Sequence, residues 1–288
     1  MRNVFFIIIA VLFSGSIFAS EIKEVLPLTN KIILIRFDDG SVTYPNTLSV
    51  NRLDLPAAVT KSYWTIKSTD DTEFLQAANP IIIGRKSKGT EFVKDTPWGG
   101  SSSDPRLKPW ASEHFIYLRF EKSLKSGKTY SINSSSLASN GSSWTFTYDE
   151  TKLRSEAVHV NTIGYASDAP KYGYIYHWMG DLGGLDLTEY ANAKFYIYRE
   201  SSDTPVKTGN IRKRKSADNS ETTQINDTPG QNFLGAEVYD CDFTDITEDG
   251  TYFLVVEGIG RSFPFKIGTD ALLEAYYPVL RGLYHQRS

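Results

Sequence analysis

Carboxylates and histidines are the residues of this chain that could carry acid–base or metal chemistry. A catalytic pair would need two carboxylates with different pKa values, and a metal site would need ligands at a recognisable spacing. The acidic clusters fall in predicted turns or alternate along predicted strands, where solvated carboxylates are the usual case. They are Asp38-Asp39, Asp70-Asp71, and Asp240, Asp242 and Asp245.

The histidines do not indicate a metal site either. They are His114, His159, His177 and His285, which lie far apart in the sequence without metal-ligand spacing. The chain also has no Gly-rich phosphate loop and no nucleophile elbow. We therefore predict no catalytic residue, no metal and no cofactor.

One basic run, from Arg212 to Lys215, could in principle contact nucleic acid. A nucleic-acid surface would combine more positive charge with interleaved aromatic residues. The whole chain carries 31 basic and 34 acidic residues, a net charge of −3, which does not attract nucleic acid or an anionic membrane. The run is interpreted as a solvated loop edge, and no nucleic-acid partner is predicted.

Tryptophans in long loops are the better candidates for binding. Trp98 and Trp110 flank a Gly/Ser/Pro-rich stretch, 94–109, while Trp178 leads into the glycine-rich stretch 179–184. Long loops in compact domains are often functional, and flat aromatic faces can stack on sugar rings. We predict carbohydrate contacts at these three tryptophans. The alternative is that they wedge between two domains of this chain or against a further domain that follows it.

The elements that must position these residues are predicted to be β-strands. Short runs with large residues at every second position, such as 115–120 and 144–148, are typical of strands with one buried face. They form two series separated by a polar stretch at 149–155. We therefore predict an all-β chain with two tandem immunoglobulin-like β-sandwiches, residues 21–154 and 155–268.

The two ends of the chain have different character. Residues 1–20 combine a short basic start, an apolar run too short to span a bilayer, and small residues, which predicts a signal peptide and export to the periplasm or beyond. No membrane association is expected after cleavage. The single cysteine, Cys241, cannot form an intrachain disulfide and is predicted to be buried and inert.

A tyrosine follows a glycine turn in both halves. Gly127 precedes Tyr130, and Gly250 precedes Tyr252, each at the start of a predicted strand. In immunoglobulin-like sandwiches such a tyrosine can return its hydroxyl to the backbone as a tyrosine corner. The alternative is an ordinary hairpin with a tyrosine at its base.

The last twenty residues change to a helical period. Leu272, Leu273, Tyr276, Leu280 and Leu283 fall on one stripe, and Thr269 or Asp270 is available as the N-cap. An apolar helix normally packs against others, so we expect residues 269–288 to begin a helical domain that the chain does not complete.

Three motifs resemble the immunoglobulin-like module that precedes the catalytic domain of family 9 glycoside hydrolases, a family of cellulases. The stretch from His159 to Lys171 resembles the opening of that module, with Thr162 and Ile163 in place of the usual Gln and Val. Residues 249–268 resemble its last two strands. Residues 276–287 resemble the first helix of the catalytic domain.

The resemblance implies an enzyme for the parent protein and a supporting role for this chain. The family's enzymes are inverting β-1,4-glucanases with an (α/α)6 barrel, in which a base from an Asp-Ala-Gly-Asp motif activates water. That motif does not occur in these 288 residues, so the chain is expected to be inactive alone. Its expected partners are a downstream catalytic domain, which is the missing (α/α)6 barrel, and β-glucan polysaccharide.

Overall fold

The computed structural model describes residues 20–43, 47–92, 110–221 and 230–287. Eighteen strands and two α-helices are described there. In residues 21–154 the strands are β1 Glu21–Pro27, β2 Ile32–Asp38, β3 Gly40–Thr43, β4 Thr47–Val50, β5 Thr65–Ser68, β6 Ile82–Phe92, β7 Trp110–Arg119, β8 Thr129–Asn133 and β9 Ser143–Thr147. The later strands are β10 Val158–His159, β11 Tyr172–Ile175, β12 Lys194–Arg199, β13 Pro205–Asn210, β14 Arg212–Lys215, β15 Val238–Asp242, β16 Gly250–Val256, β17 Gly260–Arg261 and β18 Phe265–Ile267. The helices are α1 Leu55–Ala58 and α2 Leu273–His285.

In residues 21–154, the N-terminal segment, a four-stranded sheet faces a three-stranded one. The larger sheet has the order β1-β2-β7-β6 and the smaller β5-β8-β9, while β3 and β4 pair as a hairpin. Because side chains alternate along a strand, Ile33, Ile35 and Phe37 of β2 point together into a core with Trp64 and Tyr130.

In residues 155–268, the C-terminal segment, two sheets enclose a second core. One has the order β10-β11-β15-β14, and the other has the order β13-β12-β16-β17, with β18 also pairing β16. Ile175 and Cys241 meet Phe195 and Leu254 in the apolar cluster between them. Cys241 is fully buried, and burial raises the pKa of its thiol well above the ordinary value. The prediction of a buried cysteine is confirmed.

The four-stranded sheet of the N-terminal segment is covered on both faces. The side chains of β2 that point away from its own core, Ile32 and Leu34, join the core of the C-terminal segment. Phe115 and Tyr117 of β7 do the same. This sheet is therefore the wall against which the C-terminal segment packs.

Both predicted tyrosine corners are present. The hydroxyl of Tyr130 accepts a hydrogen bond from the backbone N–H of Lys125 at 2.8 Å and donates to Asp71 at 2.6 Å. The hydroxyl of Tyr252 donates to the backbone carbonyl of Glu248 at 2.8 Å. In each case the hydroxyl returns to the chain four or five residues upstream, which closes the turn before the strand.

The C-terminal helix is confirmed, but its start differs from the prediction. Helix α2 begins at Leu273 after Leu272, and no side chain caps it, so the predicted N-caps Thr269 and Asp270 are wrong. The preceding residues form turns because Ala271 is buried and donates its N–H to Gly268. This anchor delays the start of the helix.

The mostly-β prediction with one C-terminal helix is confirmed, apart from the four-residue helix α1, which the sequence analysis did not predict. Asp54 caps α1 through a hydrogen bond to Ala57, and Pro56 lies in its first turn. The tandem-sandwich architecture, the division at residue 154 and the helical barrel beyond α2 stay predictions.

Candidate functional site

The structure separates the tryptophans predicted to contact carbohydrate. Trp98 lies outside the described residues. Trp110 begins β7 and is 36% exposed, with its ring near Gly89 of the neighbouring strand. Trp178 lies before a short 3₁₀ turn, Gly180–Leu182, and is 45% exposed. No contact between Trp110 and Trp178 is recorded in the described part of the chain.

The loop that carries Trp178 docks on β6 of the N-terminal segment. Asp181 accepts a hydrogen bond from the backbone N–H of Arg85 at 2.6 Å, and Lys86 donates to the carbonyl of Trp178 at 3.4 Å. Gly180 has a φ of +72°, and a Cβ there would lie 2.1 Å from the carbonyl oxygen of Arg85. Only glycine allows this approach. The loop's backbone therefore joins the two segments.

A buried tyrosine–histidine pair lies at the centre of the contact between the segments. The hydroxyl of Tyr117 lies 3.0 Å from Nε2 of His177, whose Nδ1 faces the carbonyl of Glu156. Because a carbonyl only accepts, Nδ1 carries the proton and Nε2 accepts from Tyr117. Burial, together with the nearby ammonium of Lys86, lowers the pKa of His177 to about 4, so the ring is neutral at pH 7.

Charged side chains surround a cavity of about 170 Å³ between the two segments. Glu189 pairs with Lys31 and with Arg119 across the boundary. The hydroxyl of Tyr190 donates to Asn30 at 2.8 Å, and the N–H of Asn30 donates to the carbonyl of Gly258. These cross-boundary bonds add directional contacts to the apolar core and fix the register between the segments.

The ring of Trp178 forms an exposed apolar surface with Phe233 and Leu234, although the loop that carries Trp178 docks on β6. Asn232 is buried, and its side-chain oxygen accepts from the backbone N–H groups of Leu234 and Ala236. This turn holds Phe233 and Leu234 outward, 53% and 42% exposed. A Cβ on Gly235 would lie 2.8 Å from the ring of Trp178, so the missing side chain lets that ring lie against the turn.

The basic run belongs to a strand rather than to a loop edge. Each basic side chain of β14 pairs with an acid: Arg212 and Arg214 with Asp240, Lys213 with Glu237, and Lys215 with Glu221. Because Asp240 is almost fully buried, these pairs hold β14 on its sheet. The run is exposed at the edge of its sheet, so the interpretation as a solvated edge is confirmed, but it forms a strand and not a loop.

Three of the acidic residues predicted to be solvated are buried instead. Asp39, Asp71 and Asp240 are each 3% exposed or less, and each accepts hydrogen bonds or ion pairs from neighbouring side chains. A buried carboxylate requires such partners. Asp70, by contrast, is exposed in its turn, as predicted.

Helix α2 presents an apolar surface that the described residues leave uncovered. Tyr277, Leu283 and Tyr284 are 69%, 58% and 66% exposed, and no residue of the helix is buried. Large contiguous apolar surfaces on soluble proteins usually mark interaction sites. We define the α2 surface as the exposed residues Leu273, Tyr276, Tyr277, Leu280, Leu283 and Tyr284.

The structure also brings together three residues that the sequence analysis did not group. Ser87 lies 2.8 Å from Nδ1 of His114, and Asp39 lies 3.2 Å from its Nε2. They lie on three different stretches of chain, so no local motif could reveal them. Only the pairing of β6 with β7 and the position of Asp39 after β2 make the contact.

Two further findings concern metals and membranes. Among the described residues, no group of three or more histidine, cysteine, aspartate or glutamate side chains is placed to hold a metal ion. Of the helices described, none has the length and apolarity to cross a membrane.

Comparison with known proteins gives matches that lie mainly in the C-terminal segment. Residues 154–261 match the model of the family described as "Cellulase N-terminal ig-like domain". A stretch of 90 residues is 32% identical to Endoglucanase D of Acetivibrio thermocellus, which corresponds to 31% of this chain and 12% of that protein. The chain thus spans only a small part of the length of this curated relative.

Over these residues the C-terminal segment is similar to the immunoglobulin-like module found at the N-terminus of family 9 glycoside hydrolases. Solved structures of that family also match. A Bacteroides ovatus GH9 protein is 22% identical over 45% of this chain and 19% of its own, with a TM-score of 0.31. A metagenome-derived family 9 endoglucanase is 24% identical over 38% and 18%, with a TM-score of 0.29. These superpositions are too loose to support an argument.

Proposed function

We propose that the chain is the non-catalytic, exported portion of a family 9 glycoside hydrolase and that it supports and orients an inverting β-1,4-glucanase barrel. The family match of residues 154–261 supports the first part. The supporting role is carried by the α2 surface. Its large apolar residues would be covered by another apolar surface. A helical catalytic domain packed on α2 would cover them. Export rests on residues 1–20, of which 1–19 lie outside the described residues.

The contact between the two segments gives this support its rigidity. The sheet that contains β2 is buried on both faces, and the loop at Gly180 and the ion pairs of Glu189 bridge the same boundary. A barrel seated on α2 would therefore be held by one continuous body.

Sequencing the coding region beyond Ser288 tests this proposal directly. We expect an in-frame helical domain that contains an Asp-Ala-Gly-Asp motif. In the protein so extended, Leu280→Asp and Tyr277→Asp should lower the melting temperature and the rate of glucan hydrolysis. Val206 is 51% exposed on the separate strand β13, so Val206→Asp is the matched control. An authentic stop codon directly after Ser288 would overturn the proposal.

A second candidate function is polysaccharide binding through exposed aromatic residues. The display of Phe233 and Leu234 beside Trp178 favours it, because sugar rings stack on flat apolar faces and the described residues that line the pocket between them carry no charge. The purified chain would be incubated with insoluble cellulose. Retention lost in Trp178→Ala and Phe233→Ala, but kept in Val206→Ala, would support binding. Trp98→Ala and Trp110→Ala test the remaining predicted contacts, and no retention by the wild-type chain would exclude this candidate.

A further inference from the structure

A serine, a histidine and an aspartate form a hydrogen-bonded chain near one end of the four-stranded sheet. Ser87 of β6 and His114 of β7 are directly opposite each other in the strand register. The hydroxyl of Ser87 lies 2.8 Å from Nδ1 of His114. Asp39 follows β2, and its Oδ2 lies 3.2 Å from Nε2 of the same ring.

The partners of Asp39 fix where the protons lie. The carboxylate accepts from the backbone N–H of Leu53 at 3.0 Å and from Arg52 at 3.1 Å. Burial alone would raise the pKa of Asp39, but these hydrogen bonds and the one from His114 outweigh it and lower the pKa overall. An ionised carboxylate only accepts, so Nε2 of His114 carries the proton. Nδ1 then accepts the proton of the Ser87 hydroxyl.

We propose that Ser87, His114 and Asp39 form a nucleophilic site that cleaves small acyl esters, such as acetyl esters of a sugar. A serine hydrogen-bonded to a histidine, which a buried carboxylate orients in turn, is the arrangement that activates a hydroxyl for acyl transfer. Such a triad is recognised by its geometry and not by sequence order. In serine proteases the serine faces Nε2 and the aspartate faces Nδ1. Here the serine faces Nδ1 and the aspartate faces Nε2, so each nitrogen still has one partner.

The nucleophile is accessible while its partners are not. Ser87 is exposed, whereas His114 and Asp39 are 5% and 3% exposed. A substrate, or the water of the second step, can therefore approach the hydroxyl from the exposed side, whereas the far side of the ring is shielded from solvent. This division of exposure is what a nucleophilic site requires.

The backbone of β6 offers a hydrogen-bond donor beside the hydroxyl. Arg85 gives its N–H to Asp181, away from β7. N–H groups alternate in direction along a strand, so Ser87, two residues later, also points its N–H away from β7. No strand pairs with this outer edge of β6 in the described part of the chain. That N–H can stabilise the oxyanion of a carbonyl under attack.

Trp110 gives the site a preference for sugar esters. Ser87 and Gly89 are two residues apart on β6 and lie on one face of the sheet. The position of a Cβ at Gly89 is 3.9 Å from the ring of Trp110. At about 3.3 Å per residue, the ring stands about 7 Å along the strand from the hydroxyl. A sugar ring stacked on Trp110 would therefore place an acetyl substituent within reach of Ser87.

The reaction balances with water as the only co-reactant. The Ser87 oxygen bonds to the ester carbonyl carbon as its proton moves to Nδ1 of His114. The bond to the leaving alcohol breaks, and the alcohol oxygen takes that proton. Water then attacks the acyl-serine, gives a proton to Nδ1, and releases the acid as the proton returns to Ser87.

Labelling with a fluorophosphonate tests the nucleophile without knowledge of the substrate. The purified chain should be labelled at Ser87, identified by mass spectrometry, and should hydrolyse 4-nitrophenyl acetate. Ser87→Ala should abolish the label and lower hydrolysis by at least about 100-fold, because the hydroxyl that forms the acyl intermediate is removed. His114→Gln should slow both to the same degree. Trp110→Ala should raise KM for acetylated glucose more than KM for 4-nitrophenyl acetate, which has no sugar ring to stack.

The controls separate chemistry from folding. Ser131 shares a cross-strand hydrogen bond with Thr145 but has no histidine, so Ser131→Ala should leave labelling and hydrolysis unchanged. Ser87 is exposed, so its substitution decides the outcome even if His114→Gln unfolds. Asp39 acts through His114, so Asp39→Asn should slow labelling, and Asp39→Glu, which keeps a carboxylate, should restore part of the rate. A wild-type chain that is not labelled at Ser87, or hydrolysis that persists in Ser87→Ala, would overturn the proposal.

Discussion

Mild acid should weaken the contact between the two segments through His177. This ring is buried against Tyr117, and its pKa is lowered to about 4 in the folded chain. The unfolded chain binds the same proton near the ordinary value of 6.5. The unfolded state therefore takes up more protons between pH 6.5 and 4, so stability is fully present above pH 6.5 and falls as the pH falls.

The expected loss follows from these two values. The difference between a pKa of 6.5 in the unfolded chain and about 4 in the folded chain corresponds to about 3 kcal/mol of folding stability. About 2.5 kcal/mol of this stability is lost by pH 4.5. Urea unfolding of the wild-type chain between pH 7.5 and 4.5 measures this slope. In His177→Gln, which keeps an acceptor for Tyr117, the slope should be shallower by most of that amount. Burial also lowers the pKa of His159, so part of the slope will remain.

The comparison between variants isolates one histidine, because all other titrating groups are shared. His285, exposed on α2, provides the matched control, and His285→Gln should keep the wild-type slope. If His177→Gln and the wild type lose the same free energy of unfolding between pH 6.5 and 4.5, protonation of His177 is not the cause of the acid destabilisation.

Three further substitutions test the packing by urea unfolding. Gly180→Ala should lower the free energy of unfolding by about 2 kcal/mol or more because its Cβ would clash with the Arg85 carbonyl. Gly127→Ala is the control, because its site is open at a similar φ, and it should cost about 1 kcal/mol. Equal costs would contradict the docking of the Gly180 loop. Leu34→Ala should cost about 2–5 kcal/mol by opening a cavity between the segments, whereas Leu273→Ala on exposed α2 should change stability by no more than about 0.5 kcal/mol. Tyr130→Phe should cost about 1–3 kcal/mol because Asp71 loses a buried hydrogen bond. A neutral result would show that water replaces the hydroxyl.

Much of the strand pattern was predictable because period-two alternation is a local property. Runs such as 115–120 and 144–148 are found as parts of β7 and β9. β1 was not predicted, since it shows only partial alternation. The strand at the basic run, β14, was missed for another reason: its buried partner Asp240 lies on β15, which only the folded sheet brings alongside.

The candidate sites depended more heavily on contacts distant in sequence. Trp110 and Trp178 are both exposed, and carbohydrate contact at them stays a prediction, whereas the docking role of the Trp178 loop depends on Arg85 and Lys86 of a different segment. The grouping of Asp39, Ser87 and His114 depends on the register of β6 against β7. A shift of one residue would turn the Ser87 side chain to the other face.

The two-sided burial of β2 explains why the segments should act as one body. Ile33 and Ile35 face one core, while Ile32 and Leu34 face the other. Separating the segments would expose the second pair together with Phe115 and Tyr117, each worth about 1.5–3 kcal/mol when buried. It would also leave the Tyr117 hydroxyl without His177. Relative motion of the segments is therefore opposed by a sum much larger than thermal energy.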